Sequence, residues 1–162
     1  TRSWAENEAP GTDQVRLLGI SLYTEDGVSK SVFEVTDEIF IRLTYRVGVP
    51  NIAFRCALIF NTQGVIAFAS IEPSETIRSE PGIYQSIVKV QAHLLSESEY
   101  SLNVSIFASA GAKQHYVNLR NVLNFQVYDS MTKPSARGDY TQNLLGVVRP
   151  MLKWDISKKQ SD

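Results

Sequence analysis

The amino-acid sequence predicts an all-β fold, an antiparallel β-sandwich of about eight strands. Three observations lead there. Apolar and polar residues alternate in short runs, the period of a strand with one buried face. No segment of ten or more residues carries apolar side chains at the helical period. Turn-forming residues punctuate the runs at roughly ten-residue spacing, as in sandwiches.

The elements follow in order. Residues 1–12 are polar, contain Pro10 and Gly11, and read as a linker with one aromatic, Trp4. Residues 15–24 make a first strand, ended by Glu25-Asp26-Gly27, and 31–35 are short and β-prone. Over 38–47, Ile39, Ile41, Leu43, Tyr45 and Val47 alternate with Phe40, Arg42, Thr44 and Arg46; Gly48 and Pro50 break the run. In 52–60, Ile52, Phe54, Cys56, Leu58 and Phe60 read inward, with Ala53, Arg55, Ala57 and Ile59 outward. Asn61-Thr62-Gln63-Gly64 predicts a hairpin turn into 65–70. Pro73, Pro81 and Gly82 among charged residues mark 71–82 as a surface loop. A strand follows at 83–91, and 94–99 crosses to the next one.

That next strand, 100–109, is the most distinctive. Tyr100, Leu102, Val104, Ile106 and Ala108 point inward; Ser101, Asn103, Ser105, Phe107 and Ser109 point outward. Tyr100 opens it just after a tight crossing, as a tyrosine corner does in immunoglobulin-like sandwiches. Residues 110–121 read as a polar connection, and 122–128 as a strand with Leu123, Phe125 and Val127 inward. Irregular chain at 129–145 leads to a last strand at 146–154 and a polar tail at 157–162. The sandwich domain is thus expected over 13–156.

Composition narrows the function. The chain has 162 residues, 43% of them apolar, and a formal net charge of -1. One domain is expected at that length. With no basic excess to neutralise phosphates, a nucleic-acid partner is not expected, nor a polybasic membrane contact. No apolar run approaches the ~20 residues that span a bilayer, so direct membrane insertion is not expected either. Cys56 is the only cysteine and suits a reducing compartment. Thr1 opens the chain with no initiator Met and no signal-peptide pattern, which suggests a domain cut from a longer protein.

Catalytic signals are sparse. His93 and His115 lack the further ligands a zinc site needs. His93 is expected at a strand end and His115 in an exposed loop. No nucleophile elbow and no phosphate-binding glycine loop occur, so neither metal nor cofactor is expected. Glu72, Glu75 and Glu80 could form an acid–base pair for glycoside hydrolysis, but a charged loop more often serves solvation. Arg137-Gly138-Asp139 reads as a turn, and the glycosylation triplet at Asn103 falls mid-strand.

The outward face of 100–109 carries no charged residue, unlike an ordinary solvated face. In an immunoglobulin-like order the strands at 52–60 and 122–128 flank it. Arg55, Asn103, Ser105, Phe107, Asn124, Gln126 and Tyr128 then share one surface, with Phe68 extending it from the hairpin. Amides, hydroxyls and one guanidinium can bond vicinal sugar hydroxyls while an aromatic ring stacks on a pyranose. From the pattern alone, a protein partner covering the same face fits slightly better than a sugar.

The tail Gly146-Val147-Val148-Arg149-Pro150-Met151-Leu152-Lys153-Trp154 resembles the closing strand of one family. So, in order, do Trp4 in its polar lead-in, 15–23, 33–45, 58–64, the run Leu95-Ser96-Glu97-Ser98-Glu99-Tyr100-Ser101-Leu102-Asn103-Val104, and Asn124-Phe125-Gln126-Val127-Tyr128-Asp129. The family is the C-terminal carbohydrate-binding domain of Wzt, the ATP-binding subunit of bacterial O-antigen ABC exporters. Ser98 departs from it, where a glycine is frequent, which implies a looser crossing.

The resemblance implies a non-catalytic domain that binds O-polysaccharide, at its modified non-reducing end, for export. It would hang from a cytoplasmic ATPase domain at the inner face of the inner membrane, beside the exporter's membrane subunit. It also implies a homodimer, with the terminal strand 146–154 as the exchanged element through Val148, Pro150, Leu152 and Trp154, unless that strand folds back on its own sheet. The alternative is a dimerisation module that touches no glycan.

Overall fold

The computed structural model describes residues 1–109 and 113–159, and no helix occurs among them. Ten strands run in chain order: β1 Arg2–Ser3, β2 Val15–Tyr23, β3 Val32–Glu34, β4 Ile39–Val47 and β5 Ile52–Thr62. Then come β6 Val65–Ile71, β7 Thr76–Arg78, β8 Gly82–Val90, β9 Ser98–Ala108 and β10 Gln114–Tyr128. One sheet has the order β1-β2-β4-β8, the other β3-β10-β9-β5-β6, with β7 also on β5. Pairing is antiparallel except between β3 and β10, which run parallel.

The period-two pattern sets the two faces. Ile41, Tyr45, Phe54, Phe60, Tyr100, Leu102 and Ile106 from the two sheets are essentially inaccessible. Each such side chain removed from water contributes about 1.5–3 kcal/mol. The expected hairpin forms with Gln63 and Gly64 as its two-residue loop, at φ 50° and 76°. Two successive positive φ values are the type I′ geometry that follows strand twist.

Four expectations are corrected. The lead-in is no linker: Arg2 and Ser3 pair with Ile20 and Gly19, Ala9 is buried and Trp4 packs on the core. Of the expected connection, 114–121 is strand, because Val117 and Leu119 pair with Ile106 and Val104; 110–112 lie outside the described residues. His115 is therefore on a strand, opposite Phe107. Residues 146–154 form no strand on this chain. Only Val148 makes a bridge, to Leu95, and Leu152, Trp154 and Ile156 are 68%, 84% and 98% exposed. The polar tail is described only to residue 159.

Two polar clusters tie the ends of the sheets. Arg78, 6% exposed, donates to the carbonyl oxygens of Phe54 (2.7 Å) and Thr76 (2.6 Å) and to the Tyr45 hydroxyl (2.8 Å). It also pairs with Glu72 at 3.2 Å, and its guanidinium lies 4.0 Å over the Phe54 ring. Glu72 accepts from Ser86 and from the Cys56 amide. Burial, with the Glu72 carboxylate beside it, pushes the Cys56 thiol up to about 12.

The second cluster surrounds Tyr100. Its hydroxyl donates toward the carbonyl oxygens of Ser96 (3.2 Å) and Val147 (2.8 Å), which makes the corner and also pins the C-terminal segment. Nor is the crossing loose at Ser98, whose hydroxyl lies 2.6 Å from that of Thr62. Beside it, Glu97 accepts from Arg149 (2.8 Å), Arg137 and the Asp129 amide. Arg137-Gly138-Asp139 is a turn whose arginine is committed to this cluster. Burial raises the Glu97 pKa, but the bonds from Arg149 and Arg137 outweigh it and leave the carboxyl below its ordinary value.

Arg78→Met should destabilise the domain by about 3–5 kcal/mol, the cost of breaking a buried ion pair and orphaning its partners, read by urea unfolding. Glu97→Gln should lower Tm by about 2–6 °C at neutral pH. A lowered folded-state pKa gives stability that is present above the ordinary carboxylate value and lost as pH falls through the folded one. The Tm gap between wild type and Glu97→Gln should therefore hold above pH 4.5 and close below it.

Candidate functional site: a trough on the outer face of the larger sheet

The outward side chains of β9 face solvent from the middle of the larger sheet. Across β5, Ala57 opposes Ser105, Ile59 opposes Asn103 and Asn61 opposes Ser101. Across β10, Asn118 opposes Ser105, and then the register jumps. Leu119 faces Val104 while Leu123 faces Leu102, so Arg120, Asn121 and Val122 together answer the single residue Asn103. A bulge of this kind re-aims side chains and bends its strand.

Asn121 takes the turn of the bulge at φ 49°, a left-handed conformation asparagine tolerates better than most residues. Its amide N–H donates to Asn103 Oδ1 at 2.9 Å, and its own Oδ1 accepts from the Ser101 hydroxyl at 3.1 Å. The raised bulge and the small side chains of β9 enclose a trough of about 890 Å³. Asn103, Ser105 and Ser101 line it from β9; Asn118, Arg120 and Asn121 wall one side. Asn61, Gln63 and Ile66 bound the hairpin side, and Glu99 lies at one end. Its volume is in the range of small-ligand clefts, and five amide side chains and several hydroxyls line it beside Ile59, Ile66, Arg120 and Glu99.

A family model described as the Wzt C-terminal domain matches residues 6–140. The chain belongs to the Wzt C-terminal domain family. That membership places it in the O-antigen ABC exporter. A solved structure described as the crystal structure of the C-terminal domain of wzt superimposes with a TM-score of 0.70. It is 9% identical, and the match covers 91% of this chain and 86% of that one, so it supports the β-sandwich fold. A comparison with curated proteins found no relative of the chain.

Within this Wzt-type domain the expected site residues separate into groups. Asn103 and Ser105 line the trough. Arg55 and Phe107 are cross-strand partners farther along the same face; Arg55 lies 3.8 Å from Glu75, and the Phe107 ring 5.6 Å from that of His115. Asn124 and Gln126 oppose Ser101 and Glu99 on the outward face, with Tyr128 following, all outside the trough lining. Phe68 is corrected: it opposes Phe60 and stacks on that ring at 4.3 Å, on the inner face. Alternation in 65–70 with mostly apolar residues on both faces does not tell in from out.

Asn118, Arg120 and Asn121 were missed because 110–121 reads as a connection. The signal was present: Val117 and Leu119 alternate with Asn118 and Arg120. The three loop carboxylates part company. Glu72 belongs to the Arg78 cluster, Glu75 accepts from the amide and hydroxyl of Ser109, and the Glu80 carbonyl accepts from Tyr84. Among the described residues no group of three or more His, Cys, Asp or Glu could hold a metal ion.

Proposed function

We propose that this domain binds the O-polysaccharide cargo of its exporter, at the modified non-reducing end, and that the trough over Asn103 is where it does so. One observation carries the reading: a trough open to solvent, rich in amides and hydroxyls, on a sheet face whose central strand offers no charged side chain from residue 100 to 108. Such a lining can replace the water around sugar hydroxyls without burying an unpaired ion. Phe107, at the end of the same face, offers a ring for a sugar outside the trough. The domain does no chemistry on the glycan. It works on the cytoplasmic side of the inner membrane, tethered to the ATPase domain and presenting the chain end to the membrane subunit.

A second reading accompanies the first rather than replacing it. Leu152, Trp154 and Ile156 alternate along an exposed segment just beyond the anchor at Arg149. β8 and β6 are edge strands of their sheets, and an edge offers unpaired backbone groups to an incoming strand. Exchange of residues 150–156 between two protomers would make a homodimer. Of the expected exchange residues, Val148 would be the hinge, already bridged to Leu95, while Pro150, Leu152 and Trp154 are exposed.

Calorimetry with O-polysaccharide from the organism that makes this chain tests the first reading. Binding should weaken about tenfold in Asn103→Ala, the loss of roughly one hydrogen-bonding group, and less in Phe107→Ala. No heat at millimolar repeat units would sink it. For the second, light scattering should give a dimer for the chain and a monomer when residues 151–162 are removed; a truncated dimer refutes exchange.

A further inference from the structure

The outer face of the smaller sheet differs in kind from the trough face on the other side of the sandwich. The outward side chains of β2, β4 and β8 include the cations Arg16, Arg42, Arg46 and Lys89 and no carboxylate. Acids beyond the strand ends answer all but one of them. Asp13 lies 2.8 Å from Arg16, Glu6 2.9 Å from Arg46 and Glu38 3.1 Å from Lys89. Arg42 is the exception. It stands between Ser21 and Ile87 in the middle of the sheet, and no ion pair or hydrogen bond holds it among the described residues. Its Nε is shut off from solvent without a partner. Its guanidinium lies 4.6 Å over the Tyr23 ring, which stacks in turn on Phe40 at 5.5 Å. Beside it, edge strand β8 leaves Ile87 and Ile83 54% and 66% exposed. Edge strands commonly guard themselves with charge, yet Lys89 is the only charge β8 offers on this face.

We propose that this face docks a protein surface of the exporter on which carboxylates stand among apolar side chains, with Arg42 receiving a carboxylate and Ile87 packed at its side. An arginine braced on an aromatic ring, with bulky apolar side chains around it, is the anatomy of an interface centre. Covering Arg42 without an opposite charge is costly, so the partner has to bring one. A guanidinium takes a carboxylate through two parallel N–H bonds, a geometry an ammonium lacks. Two copies of the face set against each other would oppose cation to cation. An anionic bilayer gains from several free cations, and here only Arg42 lacks an acid. The trough opens on the opposite sheet, so both faces can be filled at once.

The test uses the assembled exporter with this domain in place. A benzophenone side chain is introduced at Gln85, exposed between Ile83 and Ile87, and after irradiation its adducts are mapped by mass spectrometry. They should fall on a protein segment outside this domain that carries Asp or Glu beside apolar residues. Arg42→Glu should lower the yield of that adduct about tenfold, as loss of an interface centre does, and Arg42→Lys should keep part of it. Arg16→Glu, at a rim position already paired, should change the yield less than Arg42→Glu does. If Arg42→Glu prevents assembly, Arg42→Gln removes the charge without reversing it and should show the same loss. Adducts confined to lipid, to a second copy of this domain or to a segment without carboxylates overturn the docking surface. So does the absence of any adduct, or a yield that the Arg42 variants leave unchanged. None of these outcomes touches the glycan reading, which calorimetry decides.

Discussion

β9 is hydrogen-bonded on both sides, to β5 and to β10, and the rest of the molecule is arranged around that constraint. A strand held on both edges cannot rotate, so its alternation divides the protein in two. Tyr100, Leu102, Val104 and Ile106 are committed to the core; Ser101, Asn103 and Ser105 are committed to the opposite face. A one-residue slip would exchange the two sets. The Tyr100 hydroxyl guards against it at the strand's start, where it ties the corner at Ser96 to the incoming C-terminal segment at Val147.

A flat sheet face would still hold no cleft. The depression exists because β10 spends three residues opposite Asn103 and lifts Arg120 and Asn121 out of the ladder. That bulge costs ladder hydrogen bonds, and part of the loss is offset by the Asn121 amide bonding the Asn103 side chain. The same contact orients the Asn103 amide, so the feature that shapes the trough also positions a side chain in it. The buried ion pairs and the trough are otherwise kept apart. The Arg78–Glu72 and Glu97–Arg149 clusters lie outside the trough lining, one beside β7 and the other at the base of the tail. Membership of the Wzt C-terminal domain family places this division in an O-antigen exporter.

Much of the fold was legible in the residues. The runs at 38–47, 52–60 and 100–109 became β4, β5 and β9 with the expected faces, because each alternates cleanly and turn residues stop it. Elements were misread where that contrast fails. The lead-in looks like a linker because β1 has only two residues, and its pairing with β2 leaves no local pattern. The first half of β10 reads as a connection because a bulge breaks its period and polar residues dominate. Phe68 was assigned to the wrong face because its strand has apolar residues on both.

By itself, the sequence determined the fold class, the inward set of each regular strand and the uncharged outer face of residues 100–109, all consequences of local periodicity. Tertiary structure alone decided which outward residues meet. Asn103 and Ser105 share a trough with Arg120 and Asn121, whereas Arg55 and Phe107 lie beyond it, because the register jump in β10 is set by pairing with a distant strand. It also decided the fate of the tail. Apolar alternation marks Leu152 and Trp154 as strand-forming, but the chain's own sheets place no strand beside them. The reason is the same in both cases: alternation gives a side chain its face, and only the packed partner gives it a neighbour.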